Sequence, residues 1–291
     1  MKVLRPVNWN LYDHFVHGMQ YWYWVTSNIV HEPDDDYICV TPRGEGGKKI
    51  QWRSSRYVDS YLNRILLKFP NLKLVADHPE PGLEFYFRDS INDDFIYNDS
   101  RLRHEYREWF PYDNSDSVRR IFVDDLPDTG NVKIGIVNRK DSRRITNVDQ
   151  LSERLSVIPN ANVDVTYFEN KDFTYQVDFF NNHNIIISPH GAQLCSIPFM
   201  KPGSLVIEYA HEEWHPYDYF PGLSYTSNMC HAMIVGNHKR FPQWCSNKYI
   251  APGKKRSNNS KLNIEANIDM GISVINKYLS NNMIRKLCKL Y

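Results

Sequence analysis

The run Ile185-Ile186-Ile187 ends in Ser188-Pro189-His190-Gly191-Ala192-Gln193-Leu194, which sets an imidazole and a side-chain-free residue at the end of an apolar, β-branched strand. Buried parallel strands read as such continuous runs, and ligands of α/β sheets collect at their carboxyl ends. A His and a Gly there suit an oxygen-rich anion approached closely by backbone. The short helix predicted over Gln193 to Met200 would aim backbone amides at that anion. After Lys201-Pro202-Gly203, a second apolar run from Ser204 to Ile207 closes on Glu208. An acid after a neighbouring strand commonly holds ribose hydroxyls in nucleotide-binding α/β folds. A lone His at a strand end more often just satisfies a backbone carbonyl; Gly191 and Glu208 shift the balance towards a ligand.

A second segment, Asn138-Arg139-Lys140-Asp141-Ser142-Arg143-Arg144-Ile145, directly follows the predicted strand Val132–Val137. Four cations in six positions could form a solvated turn, but this loop shares the carboxyl edge with His190. Arginine forks give bidentate contacts to phosphate oxygens, so diphosphate binding is the favoured reading. Asn147 fits the cap of the helix that starts near Val148. A third segment, Asn10-Leu11-Tyr12-Asp13-His14-Phe15-Val16-His17, places two histidines at i and i+3 beside an acid. His17, His14 or Asp13 could act as a general base, since imidazole titrates near neutrality. No third ligand with convincing spacing accompanies them, so no metal site is expected. His211-Glu212-Glu213-Trp214-His215 lacks the His-Glu-x-x-His spacing of a zinc helix, and Pro216 follows it. Asp34-Asp35-Asp36 reads as a surface turn.

These segments need a scaffold, and the chain can build one. Its 291 residues are 42% hydrophobic and 24% charged, enough for one large or two ordinary domains. A formal charge of +1 lacks the basic face of a nucleic-acid or membrane-surface binder. Five scattered cysteines without a CxxC pair suggest free thiols and a reducing compartment. No signal-peptide core or membrane span is evident, which points to a cytoplasmic protein. A dense aromatic run makes Asn10 to Val25 a buried helix. Tyr37 to Thr41 is a strand, Val58 to Phe69 a helix stopped by Pro70, and Leu72 to Val75 a strand. Asp124 to Gly130 reads as a linker. Beyond it, strands at 132–138, 163–167, 184–188 and 205–209 alternate with helices at 148–155, 176–181 and 193–200. That rhythm implies a parallel sheet with right-handed crossovers. An amphipathic helix lies within Ile264 to Leu290.

Ser188-Pro-His-Gly-Ala-Gln-Leu, with Phe199, Pro202-Gly203 and Val206-Ile207-Glu208 after it, resembles the signature of glycosyltransferase family 61. Arg139 with Ser142-Arg143-Arg144-Ile145 and Asn147 is similar to that family's Arg…Ser-Arg-(Arg/Lys)-Ile…Asn segment, and Gln176 also fits. Asn10-Leu11-Tyr12-Asp13-His14-Phe15 resembles its Asn-x-Tyr-x-His-(Phe/Trp) element. The resemblance is convincing over about 132–210 and suggestive near 10–17. It implies a GT-B-like α/β fold of two Rossmann-like lobes with an interlobe cleft: an acceptor-side lobe over 1–125 and a nucleotide-sugar lobe over 131–262. A helical tail over 263–291 would cross back to the first lobe.

The resemblance further implies an inverting transfer from a UDP-sugar to a hydroxyl of a glycan or glycoprotein, with no obligatory metal or cofactor. Arg139, Ser142, Arg143, His190, Gly191, Ala192, Gln193 and Glu208 would hold the donor, with Glu208 on the ribose. The base would come from His17, Asp13 or His14; members often carry an acid where His17 stands. Xylose or another pentose is the favoured sugar and N-acetylglucosamine the next. The missing anchor suggests a bacterial or virus-encoded enzyme. Alternatives are a non-catalytic nucleotide-sugar or glycan-binding module, and another α/β transferase acting on sugars, such as a pyruvyl or phosphoryl transferase.

Overall fold

The computed structural model describes residues 2–4, 15–41, 56–76, 115–126, 130–211, 220–235 and 261–280. They divide into two compact units, 1–122 and 123–291.

The first unit contains β1 (Lys2–Leu4), α1 (Phe15–His31), β2 (Tyr37–Thr41), α2 (Arg56–Lys68), β3 (Leu72–Ala76) and α3 (Ser115–Phe122). Its strands form a parallel sheet in the order β1-β2-β3. Helix α2 buries Tyr57, Val58, Tyr61 and Ile65, the helical spacing visible in the sequence. Tyr61 ties the three helices together: it stacks on Phe122 at 4.8 Å, and its hydroxyl shares a 2.5 Å hydrogen bond with Thr26 Oγ1. Helix α1 runs on to His31, past the expected end at Val25, because its buried face continues through Ile29.

The second unit carries β4 (Val132–Asn138), α4 (Val148–Ser156), β5 (Ala161–Tyr167), α5 (Phe173–Asn182), β6 (Ile185–Pro189) and a 3-10 helix (Ala192–Phe199). Then come β7 (Leu205–Ala210), α6 (Phe220–Thr226), β8 (Cys230–Val235) and α7 (Ile268–Ser280). All five strands are parallel, in the order β5-β4-β6-β7-β8. The chain leaves β4 for one side of the sheet and returns to β6 on the other. The carboxyl ends of β4 and β6 are therefore the topological switch point, where α/β sheets bind ligands.

Register decides what each face carries. Ile185, Ile187, Leu205, Ile207, Tyr209, Cys230, Ala232 and Ile234 share one face and pack with Leu151 and Leu155 of α4 and Val274, Ile275 and Tyr278 of α7. Each buried aliphatic side chain here is worth roughly 1.5–3 kcal/mol relative to exposure. The opposite face carries Gly135, Ile186, Ser188, Val206, Glu208 and His231. Helix α5 lies so close to it that a Cβ on Gly135 would meet Phe179 at 2.6 Å. Polar groups thus gather on one face of an otherwise apolar sheet.

Over 263–280, the described part of the tail, Ile264, Ala266, Val274, Ile275 and Tyr278 belong to the core of the second unit. Two expectations change. The linker assigned to Asp124–Gly130 begins as docked chain: Asp124 O accepts from Asn181 Nδ2 at 3.1 Å, and Leu126 O accepts from Lys201 Nζ. Cys39 and Cys195 are free and buried, but Cys230 is disulfide-bonded, which removes the argument for a reducing compartment. Among the described residues, no helix is long and apolar enough to cross a membrane.

Candidate functional site

The basic loop is tied at both ends by asparagine side chains. Asn138, the last residue of β4, accepts from Ile145 N at 2.8 Å through Oδ1 and donates to Ile145 O at 3.0 Å through Nδ2. This amide pair closes residues 139–144 into a protruding loop. On the far side, Ile145 bridges Ile264 in parallel, and Thr146 N donates to Ile264 O at 2.9 Å. Asn147 was expected to cap α4 with its side chain. It occupies the cap position without that bond. Its amide instead pairs with Ala266, accepting from Ala266 N at 2.8 Å and donating to Ala266 O at 3.0 Å. The loop is thereby fixed to chain more than a hundred residues away.

Within the loop, Arg139 and Arg143 are half-buried and Arg143 takes a φ of +63°. Arg139 Nη1 donates to Gln193 Oε1 at 3.3 Å, and Gln193 Nε2 donates back to Pro189 O at 2.8 Å and Ser188 Oγ at 3.1 Å. Ser188 Oγ in turn donates to Val137 O at 3.0 Å, spanning the gap where β4 and β6 separate. Gln193 is the rod that sets Arg139 over the His190-Gly191 turn. Gly191 has φ 168°, which any residue adopts; its need is for space. A Cβ there would meet Gln193 Oε1 at 2.4 Å and Arg139 Nη1 at 2.6 Å. The expected role of Gly191, room for a ligand to approach, is first of all room for Arg139 and Gln193.

Burial shapes the electrostatics of both arginines. Burial, and then the charge of Arg139, push Arg143 down to about 10. Burial also lowers Arg139, against the opposing pull of Glu169 and Asp141. Glu169 does not pair with Arg139; its Oε1 accepts from Lys140 N at 2.9 Å and steadies the loop. Two partly desolvated guanidiniums thus share one loop.

His190 stands at the other wall. Its N donates to Tyr209 O at 2.8 Å, extending the β6–β7 ladder, and its ring lies 5.1 Å from that of Phe220. Nδ1 is hydrogen-bonded to Glu208 Oε1, and Glu208 Oε2 lies 3.1 Å from His231 Nε2. Burial alone would raise Glu208, but His190 and then His231 hold its carboxyl below the ordinary 4.5. Glu208, expected to hold the ribose, is fully buried and faces an imidazole on each oxygen. Ala192 opens the 3-10 helix, and Ser142 is half-buried in the basic loop.

Two strand ends thus carry Arg139 and Arg143 on the loop after β4 and a carboxylate-held histidine on the turn after β6. Residues 35–207 match the family model described as Glycosyltransferase 61, which spans more than half of the chain. The chain belongs to glycosyltransferase family 61. Among curated proteins no significant match is found. The match takes in the arginine loop and the His190 turn of this family-61 glycosyltransferase and stops one residue before Glu208.

Asp13 and His14 lie outside the described residues; His17 lies on α1, with its side chain outside the description. Among the described residues, no group of three or more His, Cys, Asp and Glu gathers as a metal site. Sequence reasoning missed His231, a lone histidine in an ordinary strand, and Asn138, which it treated only as a strand end. The reciprocal asparagine pairs leave no spacing signature to find.

Proposed function

We propose that the crevice between the ends of β4 and β6 binds the diphosphate of a nucleotide-sugar. The sugar is then passed, with inversion, to a hydroxyl of a glycan or glycoprotein. The observation that carries this reading is the placement of Arg139 and Arg143. Both are half-buried on the loop that follows β4, and Arg139 is aimed by Gln193 over the turn that presents His190. Guanidiniums suit the oxygens of a nucleoside diphosphate, whose departure needs its charge neutralised as the bond from the anomeric carbon to the phosphate oxygen breaks. The arginines and His190 do this from the protein's own groups, so no metal is required. UDP is the favoured nucleotide. The sugar is a pentose such as xylose first, and N-acetylglucosamine second.

Inversion is one displacement: the acceptor oxygen forms the new bond as the leaving phosphate oxygen departs, and a base on the opposite side takes the acceptor's proton. His17, with Asp13 or His14 beside it, is the proposed source of that base. A thermal-shift screen over nucleotide-sugars tests the donor. Calorimetry on Arg143→Ala tests the site: UDP affinity should fall about 10- to 100-fold, the worth of a charge-assisted contact of roughly 1.5–3 kcal/mol. Unchanged affinity would remove the arginine loop from the reading. His17→Ala should cut turnover and leave UDP affinity intact. UDP binding without turnover across a panel of donors and acceptors would instead make the chain a binding module.

A further inference from the structure

His231 belongs to no motif, and the family match ends before it. The sheet brings it to the site. His231 pairs with Val206, so it sits diagonally beside Glu208 on the same face, one alternate position back along the strand. Its side chain is 4% exposed and Nε2 is 3.1 Å from Glu208 Oε2, an ion-pair contact off the line of a hydrogen bond, while Oε1 is hydrogen-bonded to Nδ1 of His190. A carboxylate with no solvent contact stays ionised only when positive or donating groups meet its oxygens. With an imidazole at each oxygen, the carboxylate cannot swing without losing one of them. The plane of the His190 ring and the proton on its Nδ1 are then fixed, which is how a carboxylate sets the tautomer of a working imidazole.

We propose that His231 is a positioning residue. It holds Glu208, Glu208 holds the Nδ1 proton of His190, and His190 Nε2 is thereby presented to the donor's diphosphate. Glu208 is on this account a brace for His190 and not a ligand of the ribose. The inference rests on the donor-site reading above.

The test is calorimetric binding of UDP to the wild-type chain, His231→Phe, His231→Gln, Glu208→Gln and the double variant Glu208→Gln/His231→Phe. His231→Phe should weaken UDP about tenfold, the scale of one lost charge-assisted contact. His231→Gln should recover most of that loss, because its amide can donate to Oε2. The double variant should bind no more weakly than Glu208→Gln alone, since the two residues act in series. A folded His231→Phe protein that binds UDP like wild type overturns the proposal, and so do losses that simply add. The wild-type protein supplies a check independent of how the variants fold. In spectra of the ¹⁵N-histidine-labelled chain, the resonances lost in His190→Asn should show a protonated Nδ1 and an Nε2 that shifts when UDP is added. A bare Nδ1, or an Nε2 indifferent to bound UDP, overturns it. If the wild-type chain does not bind UDP at all, the donor-site reading itself falls.

Discussion

Gly191→Ala separates the binding role of the turn from its folding role. At φ 168° the backbone accepts alanine without strain, so the whole effect is steric. The new Cβ would lie 2.4 Å from Gln193 Oε1 and 2.6 Å from Arg139 Nη1, whereas ordinary contact begins at 3.4 Å. Gln193 must therefore retreat about 1.0 Å and Arg139 about 0.8 Å, the differences between those values. Both are ends of flexible side chains, so the fold absorbs the change at about 1 kcal/mol, the low end for overpacking. Their mutual contact is already long at 3.3 Å and does not survive such a separation. Arg139 then loses its aim. Displacements near 1 Å at a reacting site cost up to about 100-fold, and the lost phosphate contact alone is worth roughly 1.5–3 kcal/mol. UDP affinity should fall at least about tenfold while the melting temperature drops by only a few degrees. Calorimetry and thermal melting on the same preparation measure both. Affinity within about twofold of wild type in a folded variant would refute the reasoning, as would outright unfolding.

Asn138→Ala removes both bonds to Ile145 and leaves a buried N–H and C=O without partners. Roughly 2–4 kcal/mol of stability should be lost in urea titration, and a loss below about 1 kcal/mol would mean the loop closes by other means. Glu208 gives stability that is complete above the ordinary carboxylate value of 4.5 and is lost as pH falls through its lowered native value. Melting temperatures measured downward from pH 6 should therefore fall more steeply below about pH 4.5 for wild type than for Glu208→Gln. Parallel curves would assign the acid loss elsewhere. Alkylation of the denatured chain without reductant, read by peptide mass, should label Cys39 and Cys195 and spare Cys230. Labelling of Cys230 would contradict its disulfide.

The central strands of the second unit were legible because β6 and β7 are buried along their whole length. Ile185 to Ile187 and Leu205 to Ile207 are buried on both sides of the sheet, and their apolar runs state this directly. Strand β8 escaped notice because Cys230-His231-Ala232 breaks such a run, yet its alternation sends Cys230, Ala232 and Ile234 to the core. Helix α5 was read only from Gln176 onward, although Asp172 caps it by accepting from Tyr175 N at 2.7 Å. The arginine loop and the His190 turn were visible because charge and glycine after a strand are local signals. The brace on His190 was not, since Glu208 and His231 meet only through a diagonal neighbour on another strand. Gln193 stood in a recognised motif, but only the coordinates reveal that it works on Arg139.

The bridge between Ile145 and Ile264 carries a consequence for biosynthesis. Arg144 N donates to Asn263 Oδ1 across 119 positions of sequence. At about 5–20 residues per second, roughly 6–24 s of translation separate the two partners. All five strands of the second sheet, complete at Val235, leave the ribosome before the segment that ties down the arginine loop. A nascent chain thus has its sheet in hand well before the segment that fixes the arginine loop has been made.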